Sequence, residues 1–246
     1  MRVQPIHTHA VPPTERDLLA LLDRYVEDVP ERSVLAITSK LVALCEGRLV
    51  PMHEVDKREL VQREAEHVLP PHPKYGVYLT LKKGMLIATA GIDESNADGY
   101  FVLWPSDAQR AADDIRAYLA RRFGRSAVGV VVTDSRTTPL RIGVTGVALA
   151  HSGFRALNDY VGEPDLFGRP LRMTKVNVMD ALATAAVLVM GEGNESTPLA
   201  LVDGLPFVRF QDRAPSASEL AELAVTLEDD LYAPLLTSVP WQRGGG

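Results

Sequence analysis

The chain is short of several things that would have narrowed its role at once. It has one cysteine, Cys45, among 246 residues. No intramolecular disulfide can form, and a reducing compartment is expected. Cys45 closes the apolar stretch Leu41–Cys45, has nothing beside it to activate a thiolate, and reads as a small buried hydrophobe. Long apolar runs are also missing. The longest lies within Ala181–Met190, too short to cross a bilayer. The N-terminal residues turn polar after Ile6 and carry no secretory h-region, so no membrane role and a cytoplasmic location are expected. Positive charge is scarce as well: 26 Lys and Arg against 32 Asp and Glu give a net charge of −6. A nucleic-acid partner would call for a basic face. The densest basic group, Arg121, Arg122 and Arg125, sits at the end of a helical pattern, where cations favour the dipole and stay solvated.

Familiar phosphate and metal signatures are absent too. There is no Gly-x-x-x-x-Gly-Lys phosphate loop and no Gly-x-Gly-x-x-Gly after a strand. The six histidines form no zinc pattern. His151 and Ser152 are adjacent, so in a strand they point to opposite faces and do not make a nucleophile–base pair. Any nucleotide has to be held in another way.

What is present is a globular composition, 46% hydrophobic and 24% charged, enough at this length for a substantial core. No solenoid repeat is visible. Val3–Ile6, Val34–Thr38, Val128–Val132 and Leu199–Val202 read as strands. Tyr75–Leu81 and Met85–Ala90 read as a strand pair around the turn Lys82-Lys83-Gly84. Helices are predicted after Thr14, over Lys57–His67, from Ser106 with a capping box to Gln109 and a stop at Gly124, from Asn177 to Met190, and finally from Ser216 with Glu219. Strands and helices mix without strict alternation, which predicts an α+β architecture rather than a doubly wound sheet.

Three segments hold candidate chemistry. Gly91-Ile92-Asp93-Glu94-Ser95-Asn96 follows one strand and Thr133-Asp134-Ser135 follows another. Each sets an acidic side chain at a strand end, where loops carry function on a rigid base. Two carboxylates and a hydroxyl make a hard oxygen site suited to Mg2+ or Mn2+. Met190-Gly191-Glu192-Gly193-Asn194-Glu195 lies at the C-terminal end of a helix, where partial negative charge favours a cation. Its glycines let backbone approach a ligand. Taken singly, each segment reads sooner as a plain Asp turn or a glycine helix cap.

Taken together, these segments resemble the coenzyme F-420 γ-glutamyl ligase family. The likeness runs from about Val3 to Val202 and is carried by Cys45-Glu46-Gly47-Arg48, Ala90–Asn96, Thr133-Asp134-Ser135, Gly143-Val144-Thr145-Gly146, Asp165-Leu166-Phe167-Gly168-Arg169 and Leu188–Gly193. It implies one ligase-like unit over residues 1–246, built of two intertwined α+β subdomains and paired as an intertwined homodimer. It implies γ-linked addition of L-glutamate to a deazaflavin, with GTP or ATP as phosphate donor and a divalent metal in the site. By this likeness Asp93, Asp134, Ser135 and Glu192 hold the metal, Ser135 standing where the family has Thr. Ser39, Asn96 and the Gly191–Gly193 loop contact the nucleotide. Lys40, Arg136 or Arg141 neutralises the transferred phosphate or holds a substrate carboxylate.

The chain departs from the family pattern at Leu44, where a Lys is common, and at Arg136–Ile142, where two basic positions are lost and Arg136 is gained. In these stretches, with Ala150–Phe154 and Pro206–Asp212, it looks closer to an offshoot described as folate-type γ-glutamate ligases, so the acceptor is a pterin or a deazaflavin. Two other readings use the same oxygen ligands: a nucleotide- or metal-sensing module without the ligase step, and a metal-dependent phosphatase.

Overall fold

The computed structural model describes residues 1–246. Its centre is a five-stranded mixed sheet in the order Arg2–Ile6, Leu199–Asp203, Ser33–Thr38, Val128–Thr137, Val144–Ser152. Only the Ser33–Thr38 and Val128–Thr137 pair is parallel; the other neighbours are antiparallel. The architecture is α+β, as the irregular order of elements predicts.

Alternation along the strands explains why this sheet is covered on both faces. Leu35 and Ile37, with Val128, Val130 and Val132, point into one cluster with the helices Leu18–Tyr25, Ser39–Glu46 and Ala108–Phe123. Val34 and Ala36, with Val131, Ala200 and Val202, point the other way against the helix Val178–Met190. A strand buried on both faces reads as a continuous apolar run instead of alternating with polar residues. That is the pattern seen at Ser33–Thr38 and at Val128–Val132. Each fully buried Leu, Ile or Val contributes about 1.5–3 kcal/mol of transfer free energy.

A second layer lies over residues 49–104. The hairpin Leu79–Lys82/Met85–Ala88 forms with the expected partners, turning through Lys83 and Gly84, both at positive φ. His67–Val68 and Gln242–Arg243 extend it to four strands. The helix Lys57–Glu64 covers it through Leu60 and Val61, in a cluster with Ile92, Phe101 and Leu103.

Several predicted boundaries move, for local reasons. The first helix is capped by Asp17, not Thr14, and the fourth by Asp107, not Ser106. In both the Asp carboxylate accepts the amide three residues on, while the Ser106 amide and hydroxyl donate to Glu46. The charged helix stops at Glu64, because His67 has joined a strand. Residues 75–78 precede the hairpin strand, which starts at Leu79. The Ser216 capping box is formed, but its helix spans only Ala217–Ala221 and another follows at Ala233–Leu236. Arg122 and Arg125 are clamps more than solvated charges: Arg122 donates to the Leu22 and Asp23 carbonyls and Arg125 to that of Val29. Cys45 is buried, and burial pushes its thiol up to about 12. His151 and Ser152 are both fully buried, with the His151 ring edge-on to Phe154.

Candidate functional site

Three chain segments converge at one end of the parallel strand pair. The Ser33–Thr38 strand passes directly into the helix Ser39–Glu46, with the Thr38 hydroxyl accepting from the Leu41 amide. This aims a helix N-terminus, with its free amides and partial positive charge, at the site. The neighbouring strand runs past the expected end at Val132 to Thr137, through a register shift after Val132. Asp134 and Ser135 therefore lie within a hydrogen-bonded strand rather than in the loop beyond it.

The Asp93 loop arrives from the second layer. Thr89, Ala90 and Gly91 all adopt left-handed backbone, with φ of 53°, 54° and 69°. For Thr and Ala this conformation costs on the order of 1–3 kcal/mol each. The run reverses the chain, and Asp93 then exchanges two backbone hydrogen bonds with Val102. The third segment follows the helix Val178–Met190, where Gly191 takes φ 79° and ψ 174°, a region open only to glycine. A Cβ on Gly191 would lie 2.4 Å from the Glu195 carboxyl carbon. The Glu195 carboxylate turns back to accept the Gly193 amide at 2.8 Å.

These segments enclose a cavity of about 380 Å³. Of the residues singled out in the sequence, Ser39, Lys40, Asp93, Asn96, Asp134, Ser135, Gly191, Glu192 and Gly193 all line it. Asn96 ties two of the loops together, its side-chain amide donating to the Gly193 carbonyl at 2.8 Å. Arg136 and Arg141 are not brought to the cavity. Arg136 stands 3.9 Å from Asp180, near the other end of the Val178–Met190 helix. Arg141 lies in the exposed turn between the last two sheet strands.

Charge within the cavity is unbalanced. Lys40 Nζ is 2.5 Å from Asp93 Oδ2 and also donates to the Ser95 carbonyl and hydroxyl. Burial pushes Asp93 up, but Lys40 and the Ser95 amide outweigh it and hold the carboxyl below its usual range. Asp134 has no such partner at hand. Burial raises it to about 6, and the Asp93 charge adds to this, against the Ser135 amide, the Trp104 indole N–H and the more distant Lys40. Burial also raises Glu192, helped by Asp93 and Glu195. Lys40 is the one cation acting on all three carboxylates.

A set of carboxylates and a hydroxyl lining one cavity with one ammonium fits a hard divalent cation, which would supply the missing positive charge. With Lys40 bound to Asp93, no three acidic side chains are gathered closely enough to enclose an ion. Asp93, Asp134, Ser135 and Glu192 are the residues that would hold such an ion.

Two parts of the site have no clear signal in the sequence. Trp104 Nε1 donates to Asp134 Oδ2 at 2.5 Å; it closes the run Tyr100-Phe101-Val102-Leu103-Trp104, where nothing sets it apart from the other aromatics. The segment Thr8–Val11 forms one wall of the cavity, because the Thr8 amide donates to the Ser196 carbonyl. No local motif announces that contact between residues so far apart in sequence.

The family model described as F420-0:gamma-glutamyl ligase matches residues 13–204. A coenzyme F420:L-glutamate ligase of Methanopyrus kandleri is 35% identical over 223 residues, covering 83% of this chain and 87% of the relative. One from Archaeoglobus fulgidus is 32% identical over 225 residues, covering 83% and 89%. A third, from Methanocaldococcus jannaschii, is 40% identical over a shorter stretch of 128 residues, covering 51% of each chain.

Proposed function

The chain belongs to the F420-0:gamma-glutamyl ligase family, and from that premise we propose that it joins L-glutamate, as an amide, to a carboxylate of a deazaflavin or pterin acceptor. A nucleoside triphosphate, GTP or ATP, drives the step. The observation that carries this reading is the convergence of Lys40, Asp93, Asp134, Ser135 and Glu192 from three separate segments on one cavity at a helix N-terminus.

In this mechanism an acceptor carboxylate oxygen attacks the γ-phosphorus. The bond from that phosphorus to the β-phosphate oxygen breaks, leaving an acyl phosphate and a nucleoside diphosphate. The glutamate amine then attacks the acyl carbon, loses a proton and expels inorganic phosphate. Such transfers need positioning and charge neutralisation more than covalent help from the protein. The amides at the start of the Ser39–Glu46 helix donate to anionic phosphate oxygens. Lys40, released from Asp93, neutralises the transferred group. Gly191 and Gly193 allow backbone to approach the nucleotide, with Asn96 fixing their loop. Asp93, Asp134, Ser135 and Glu192 would hold Mg2+ or Mn2+, which offsets phosphate charge when bound.

The test is mass spectrometry of deazaflavin and pterin acceptors incubated with protein, labelled glutamate and GTP or ATP. The expected product gains one or more glutamyl units, with phosphate released in proportion. Phosphate release that ignores glutamate would instead mark a phosphatase. Nucleotide binding with no turnover would mark a sensor.

The assembly belongs to the same reading. Leu140 and Ile142 are fully exposed in the turn between the last two sheet strands, and Leu166, Phe167 and Met173 are nearly so in the excursion over residues 160–174. That excursion is folded on itself, the Asp165 carboxylate accepting the Phe167 and Arg169 amides. Exposed apolar tips of this kind mark an interface, and a second copy of the chain is the partner proposed. Arg141, between Leu140 and Ile142, then faces the partner. The double substitution Leu140→Asp with Ile142→Asp is expected to convert a dimer to a monomer in sedimentation velocity. A native chain that sediments as a monomer at micromolar concentration would remove the dimer from this proposal.

A further inference from the structure

Trp104 lies behind the cavity wall, 2% exposed, and none of the chemistry above uses it. Each part of it is held separately. Its carbonyl accepts from Arg48 Nε at 3.1 Å. Lys82 Nζ sits 5.3 Å from the centre of its ring, itself anchored to Glu64 at 3.1 Å and to the Ala90 carbonyl at 3.2 Å. Arg48 pairs with the same Glu64 oxygen at 2.9 Å. A cation held over the face of an indole adds about 0.5–2 kcal/mol, and the ion pairs below it fix where that cation stands. The edge of the ring is covered by Gly91, where a Cβ would fall 2.1 Å from Nε1. Only glycine lets the Asp93 loop lie against the indole.

With Lys82 over its ring and Gly91 at its edge, Trp104 presents one polar atom, Nε1, to Asp134 Oδ2. The other Asp134 oxygen accepts the Ser135 amide at 2.8 Å. Both oxygens are thereby oriented, and the carboxylate plane is set by groups on two different layers of the fold. A carboxylate ligand held by outer hydrogen bonds keeps its geometry when the ion arrives, and losing such a partner costs about 10–100-fold in affinity or activity.

We infer that Trp104 is a positioning residue: its indole N–H sets the Asp134 carboxylate for the divalent cation, and the Arg48–Glu64–Lys82 cluster holds the indole in place. The inference rests on the proposed role of Asp134, so the experiment separates the two. Trp104→Phe keeps an aromatic ring against Gly91 and Lys82 while removing the N–H and some ring volume, so its effect on Mn2+ is read together with the indole peak, which volume alone does not move. The chain has two tryptophans, so a 15N spectrum carries two indole cross-peaks, and the one lost in Trp104→Phe belongs to Trp104.

Three results are expected. Trp104→Phe unfolds within a few degrees of the native protein. It binds Mn2+ about 10–100-fold more weakly by calorimetry. The Trp104 indole peak moves in Asp134→Asn and broadens when Mn2+ is added to the native protein. If Trp104→Phe binds Mn2+ within threefold of native, the positioning role is wrong. If the native protein binds no Mn2+, the metal reading fails and the inference falls with it as a statement about the cation. The indole peak then decides the remainder: a shift in Asp134→Asn retains Trp104 as the group that orients Asp134, and an unmoved peak removes that too. Should Trp104→Phe not fold, the indole peak in Asp134→Asn and in the native titration decides between the same two outcomes.

Discussion

Asp134→Ala is expected to lower turnover by on the order of a thousandfold, the effect of losing several kcal/mol of charge stabilisation at the transferred phosphate. It should also remove calorimetrically detectable Mn2+ binding. Asp134 has no ammonium bound to it, in contrast to Asp93, and it is oriented from two sides by Trp104 and Ser135. Asp93 and Glu192 cannot substitute for it, since they sit on loops from other segments. Full Mn2+ binding by a folded Asp134→Ala protein would show that the cation is held elsewhere.

The same residue makes stability depend on pH. Burial, with the nearby Asp93 charge, raises Asp134 from 3.8 to about 6, so ionisation is harder in the fold than in the unfolded chain. Below pH 3.8 the carboxyl is protonated in both states and carries no penalty. As pH rises through about 6 the folded protein is forced to ionise it, and without metal the fold loses roughly 3 kcal/mol, at 1.36 kcal/mol for each pKa unit. Asp134→Asn is expected to gain stability relative to the native chain between pH 4 and pH 7 in urea unfolding with a chelator present. A stability difference that stays flat across that window would mean the carboxylate is better solvated than its burial indicates.

The second large effect is expected at Gly146, which faces the Val178–Met190 helix. A Cβ there would lie 2.4 Å from the Ala183 carbonyl oxygen and 2.8 Å from the Thr184 Cα. Those are backbone atoms of the Val178–Met190 helix, so no side chain can swing away. Gly146 also pairs with Ser135 across the sheet, and its carbonyl accepts from the Thr184 hydroxyl. Gly146→Ala must push the helix off the sheet, at a cost of about 3 kcal/mol, the upper end of the usual scale of overpacking. Glu192 follows that helix, so nucleotide and Mn2+ affinity should fall with stability. Urea unfolding and calorimetry check both. An alanine tolerated within about 0.5 kcal/mol, the range of an ordinary surface substitution, would show that the helix is free to slide.

Much of the sheet was legible because its strands are buried on both faces. Val34–Thr38 and Val128–Val132 had to be apolar at nearly every position, and such runs have few other readings. The site acids were legible for a different reason: Asp93 follows the reversal at Gly91, Glu192 stands between two glycines at a helix end, and Asp134 breaks the apolar run Val128–Val132 although its strand continues to Thr137. The helix starts were less legible. Thr14 and Ser106 are sound caps by residue type, yet Asp17 and Asp107 stand three residues and one residue later, and a carboxylate at the start of a helix also meets its dipole. Arg136 and Arg141 were attractive on charge alone. Distance decides against them within one chain, since the strands carry them past the cavity towards the exposed tips.

By itself, then, the sequence determined the α+β class, the buried strands, the family and the group of side chains at the cavity: Ser39, Lys40, Asp93, Asn96, Asp134, Ser135 and the Gly191–Gly193 loop. Residue type and local periodicity suffice for that, because they act over a few positions along the chain. Only the tertiary structure decided how these groups bear on one another. It gave Lys40 to Asp93 and left Asp134 buried with no ammonium of its own. It brought Thr8–Val11 against Ser196, and it set an indole from another layer behind Asp134. These are matters of distance between segments far apart along the chain, and no pattern local to any one of them records the partner it meets.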